Sequence, residues 1–74
     1  MREKIVEILK DIDEEIVSYD GESLIEEGLV DSFTIMEILT DIEDQLGVKI
    51  PDEKILPESF VSIDKIVELV EKYG

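Results

Sequence analysis

The chain has 74 residues, with no cysteine, no histidine, and 21 acidic against 7 basic side chains, a formal net charge of −14 at pH 7. A chain of that size is expected to form one small domain over residues 1–74, and its charge argues against nucleic acid or an anionic membrane as partner, since both repel it. Without cysteine there are no disulfides or thiolate metal sites, and without histidine neither a Ser-His-Asp nor a Cys-His nucleophile can be assembled.

The spacing predicts a first helix from Arg2 to Val17. Ile5, Leu9, Ile12 and Ile16 recur at i, i+4, i+7 and i+11, and Ile8 widens the stripe. Ser18-Tyr19-Asp20-Gly21-Glu22 is a turn signal that ends it. A loop of about fourteen residues then reaches Asp31, and loops of that length are usually functional or disordered. Here Leu24, Ile25, Leu29 and Val30 can pin it to the core, so order is expected.

The second helix begins with Asp31 as N-cap, its carboxylate placed to accept the Thr34 amide, with Val30 and Ile35 as a hydrophobic staple. It runs to Leu46, where Gly47 is the natural stop. Ile35, Ile38, Leu39, Ile42 and Leu46 form its buried stripe. Val48-Lys49-Ile50-Pro51 must be extended or turned, because a residue before proline avoids the helical region. Pro57 can open a short turn through Phe60. Ser62 caps a last helix to Tyr73 that buries Ile63, Ile66, Val67, Leu69 and Val70, with Val61 and Ile66 as its staple. The fold class is all-α: three main helices plus one short one, with a long first crossover.

No apolar run approaches the ~20 residues that span a bilayer, and Met1-Arg2-Glu3-Lys4 opens no signal peptide. The expectation is a cytoplasmic monomer without direct membrane insertion. Paired-carboxylate catalysis needs two acids facing each other across a cleft, and a bundle this small offers none, so no catalytic residue is assigned. Asp11, Asp13, Glu15 and Glu22 fit four positions of a calcium loop, but Ile16 stands where its sharp turn needs glycine. No metal site is assigned.

The distribution of charge is more informative than its total. Between Lys10 and Lys49 there is no basic residue, while the same stretch holds thirteen acids. Such a block suits a docking face for positively charged protein partners, whose encounter it would steer. On the outward side of the second helix, Phe33, Met36 and Thr40 fall off the buried stripe. An exposed Phe and Met ringed by acids make a contact patch. Ser32, the first residue of the helix, lies near the free amides and the positive dipole end, a setting suited to a phosphate.

With these residues in view, the sequence resembles the acyl carrier protein family. Gly28-Leu29-Val30-Asp31-Ser32-Phe33 matches that family's Gly, two residues, then Asp-Ser and a large apolar residue. Leu24 with Glu26-Glu27-Gly28, the run from Asp44 to Pro51, and Ser62-Ile63-Asp64-Lys65-Ile66 extend the likeness over nearly the whole chain. The resemblance implies a four-helix bundle with a short third helix. It implies a covalent 4′-phosphopantetheine, donated by coenzyme A, on Ser32, which holds an activated acid as a thioester. It further implies that a phosphopantetheinyl transferase, an acyl- or aminoacyl-activating ligase and a downstream acyltransferase or synthase dock on the second helix. Asp31, Glu37, Glu43 and Asp44 match acidic recognition positions there, and Phe33 and Met36 match apolar ones.

Fatty-acid carriers usually carry Gly-Ala-Asp-Ser-Leu, and Thr34 replaces an acid common in that branch. The apolar pair before Asp31 and the bulky Phe33 look more like specialised carriers, of which D-alanyl carriers are one group. The residues alone leave a different class open, a non-covalent acidic adaptor that docks basic partners without modification.

Overall fold

Asp13 decides how the first helical stretch is built. The computed structural model describes residues 2–74. The single helix expected from Arg2 to Val17 is in fact two, α1 (Arg2–Ile12) and α2 (Glu14–Ser18). Asp13 between them takes an extended conformation (φ −163°, ψ 113°), and its carboxylate accepts the Glu15 amide at 3.0 Å. A short acidic side chain competes for backbone amides, which favours a cap over a place inside a helix. The chain stays joined across the break, the Asp13 amide donating to the Leu9 carbonyl at 2.9 Å. The apolar spacing survives this correction. Ile5, Ile8, Leu9 and Ile16 are buried and Ile12 is half-buried.

The long loop is ordered by the side chains that suggested it. Leu24 and Val30 are buried, Ile25 and Leu29 half-buried. The Leu24 amide donates to the Val61 carbonyl at 2.8 Å, tying the loop to the approach of the last helix. The Leu24 carbonyl in turn accepts the amides of Leu29 and Val30. Gly28 turns the chain at φ 83°, a region that strains any other side chain.

The next helix, α3, spans Ser32–Leu46. Asp31 caps it by accepting the Thr34 amide at 3.0 Å, and Gly47 ends it at φ 68°, its amide donating to the Glu43 carbonyl at 3.0 Å. Ile35, Ile38 and Ile42 are buried, Leu39 and Leu46 half-buried. Val48 and Ile50 are buried on the extended passage to Pro51. Two 3₁₀ turns follow. The one at Asp52–Lys54 is absent from the sequence expectation, while the one at Pro57–Phe60 stands where a short helix was expected and buries Phe60 completely.

The last helix, α4, spans Ile63–Tyr73, and the Ser62 hydroxyl accepts the Lys65 amide at 3.2 Å. Ile66, Val67 and Val70 reach the core, with Ile63 and Leu69 half-buried. Arg2 and Asp64 pair at 2.7 Å, joining the starts of α1 and α4. Both ends of that pair are exposed, so it contributes at most about 1 kcal/mol. Cohesion comes instead from one shared apolar core fed by every helix, the long loop and the segment before α4. Among the described residues there is no strand, and no polar or charged side chain is buried. The Cα radius of gyration is 11.0 Å.

Candidate functional site

The two sides of α3 are unlike. At 3.6 residues per turn, Ile35, Ile38 and Ile42 face the core, and Ser32, Phe33, Met36, Glu37, Thr40, Glu43 and Asp44 share the opposite arc. The fold thus brings all the expected site residues onto one element and one face, with Asp31 at its head. Phe33 is 87% exposed and Met36 60% exposed. Side chains of that size left open beside one another are unusual without a partner to cover them. Glu37, Glu43 and Asp44 are exposed as well. The only ion pair among the described residues is Arg2–Asp64, so the acids of α3 carry their charge outward, uncompensated by a close cation.

Ser32 is the first residue of α3 and is exposed. The amides that open a helix have no carbonyl partner within it, and they concentrate positive partial charge there. An anion held on the Ser32 hydroxyl would sit against that end. Asp31 beside it is fixed by Thr34 twice, through the amide at 3.0 Å and the hydroxyl at 3.1 Å, both reaching Oδ1. The amide foremost, and then the hydroxyl, hold the Asp31 carboxyl below the usual carboxylate value. Asp31 is therefore ionised at neutral pH.

Two hollows flank this arc. Ile25, Val30, Ile35 and Pro57 line one of about 230 Å³ that opens at Ser32. Met36, Thr40, Glu43, Val48, Lys49 and Ile55 line another near the far end of α3. Sequence reading missed the second hollow, because half of its wall comes from the irregular passage after Gly47, where no periodicity marks a face. It also missed the Thr34 hydroxyl bond and the exposed Leu56, which is 42% open. A hydroxyl three residues after an Asp cap was the available signal for the bond. The four residues with calcium-loop spacing are not gathered into a site. Asp13 is engaged as the α2 cap, and no group of three metal-ligating side chains is found among the described residues. No helix of the described residues is long and apolar enough to cross a membrane.

Residues 1–70 match the family defined by the phosphopantetheine attachment site, and the chain belongs to that family. Among its relatives is the D-alanyl carrier protein of Enterococcus faecalis, 34% identical over 73 residues that cover 96% of this chain and 94% of the relative. The D-alanyl carrier protein of Listeria welshimeri is 35% identical, covering 82% and 88% respectively. That of Leuconostoc mesenteroides is 32% identical, covering 96% and 92%. No solved structure gives a significant match.

Membership makes the chain a carrier and not a catalyst. It bears a covalent 4′-phosphopantetheine and presents a thioester-bound acid to partner enzymes, among them a phosphopantetheinyl transferase and the ligases and transferases that load and unload the arm. The head of α3 fits such a group. It offers an open primary hydroxyl, a helix end suited to a phosphodiester, and an apolar hollow alongside.

Proposed function

We propose that Ser32 is the attachment point of the arm and that the cargo is D-alanine, carried as an aminoacyl thioester. The observation that carries the attachment is the position of Ser32, exposed at the first turn of α3 directly after a carboxylate cap. The three relatives named as D-alanyl carriers, each matching over most of both chains, support the cargo. The arm, when bound, supplies the terminal thiol that forms the thioester. The chain's own residues do the presenting. Asp31 caps and rigidifies the helix that displays Ser32, while Phe33 and Met36 give a partner apolar contact. Glu37, Glu43 and Asp44 attract its basic side chains. The carrier works as a cytoplasmic monomer, one domain over 1–74. Its partners are a transferase, an aminoacyl-activating ligase and a downstream acyltransferase.

The test has two stages. The chain is incubated with a phosphopantetheinyl transferase, coenzyme A and magnesium, digested, and mapped by mass spectrometry. The modified chain is then offered D-alanine or a long-chain fatty acid, each with ATP and a matching ligase. The expected result is one phosphopantetheine on the peptide containing Ser32 and a hydroxylamine-labile adduct with D-alanine. Modification at another serine would refute the site, and efficient loading with the fatty acid alone would refute the cargo.

A further inference from the structure

The N-terminus of α3 departs from the usual capping box. In that box an acceptor side chain at the third helical residue reaches back to the amide of the cap. Here the third residue is Thr34. Its amide donates to the cap carboxylate at 3.0 Å as in any such box, but its side chain runs the other way, the hydroxyl also donating to that carboxylate at 3.1 Å. Both bonds end on Oδ1. The last torsion of an aspartate is broad and soft, so a single bond leaves the carboxylate plane free to swing. Two donors from one residue, one of them backbone, restrict it, and Oδ2 takes neither bond. Asp31 is exposed and directly precedes Ser32.

Resting on the reading that Ser32 carries the arm, we infer that Thr34 is a positioning residue for loading. Its hydroxyl commits one oxygen of Asp31 to the helix and keeps the other presented to a cationic side chain of the transferase. An ionised carboxylate with one free oxygen is a directional acceptor for a guanidinium or ammonium group. Holding it in place before the encounter removes an ordering cost from binding. Helix capping alone would let the hydroxyl act on unfolding only. Positioning places its effect in the encounter with the enzyme, at temperatures where every variant is folded.

The test is steady-state kinetics of transferase action on the full chain, with circular dichroism confirming the helical state of each variant. Thr34→Val removes the hydroxyl and keeps the amide. Thr34→Ala does the same with better helix propensity, and serves if the valine variant is poorly folded. Thr34→Ser restores the hydroxyl. Loss of one net hydrogen bond's worth of positioning should raise KM for the carrier by about fivefold with kcat nearly unchanged. Thr34→Ser should recover most of that loss. In an Asp31→Asn background, which leaves an acceptor for the cap but removes the charge, Thr34→Val should add little, since Thr34 acts through the carboxylate.

An unchanged KM in folded Thr34→Val or Thr34→Ala would overturn the inference. So would the same rise in KM in the Asp31→Asn background, or a failure of Thr34→Ser to rescue. These outcomes leave the attachment reading untouched. That reading is judged separately by whether Ser32→Ala, run in parallel, is loaded.

Discussion

At the scale of single residues, the caps of this protein set where helices begin and how Ser32 is displayed. Asp31 is held below the usual carboxylate value by the Thr34 amide and hydroxyl. A depressed folded pKa means that these bonds stabilise the fold in full above the unfolded value of about 3.9 and are lost as pH falls through the lower folded value. Carbon-detected NMR of the Asp31 carboxyl should therefore give a midpoint below the unfolded value, and a midpoint at or above it would contradict the bonding described. Ser62 caps α4 through a single hydroxyl bond, so Ser62→Ala should cost about 1 kcal/mol in a urea unfolding curve. A cost near zero would mean that water replaces the bond. Asp31, Gly47 and Ser62 were legible as caps because capping is decided within four residues. Asp13 was not. A continuous apolar stripe runs through it, and helical periodicity is blind to a cap that interrupts the backbone without disturbing the spacing.

At the scale of elements, α3 carries the proposed docking face, and among the described residues none of its acids is in an ion pair. If this arc is the docking face proposed above, its charges steer the encounter, and replacing Glu37 and Asp44 together by lysine should slow modification by the transferase several-fold at low salt and flatten its dependence on ionic strength. An unchanged rate would remove α3 from the docking role. Gly47→Ala should destabilise the chain by roughly 1–2 kcal/mol from its φ of 68°, the penalty of a left-handed conformation for an L residue, since the space around it is open. The buried and exposed sides of α3 were readable from periodicity alone. The wall of the hollow beyond Met36 was not. It is built by Val48, Lys49 and Ile55, in a passage shaped by Pro51 and a 3₁₀ turn in which the Lys54 amide returns to the Pro51 carbonyl at 2.9 Å. Pro57 marks the other turn as its first residue, whereas this one has neither a side-chain cap nor apolar spacing to mark it in the sequence.

At the scale of the whole molecule, 21 acids and 7 bases share a body whose longest dimension is 28 Å. The Debye length is about 30 Å at 0.01 M salt and about 8 Å at 0.15 M. At low salt nearly every acid feels every other, and at physiological salt only neighbours do. The melting temperature should rise across that range as self-repulsion is screened, and a flat response would mean that local pairs already neutralise the field. Function at this scale needs nothing more than a stable stage. The core is apolar and the acids lie outside it, and the chemistry is left to a prosthetic arm and to the partner enzymes. The measurement that tests this account most directly is the intact mass of the native chain and of Ser32→Ala after incubation with a phosphopantetheinyl transferase, coenzyme A and magnesium. The account predicts a gain of one phosphopantetheine on the native chain and none on the variant, with the variant's circular dichroism unchanged. A modified Ser32→Ala chain, or a native chain that stays unmodified with several transferases, would contradict it.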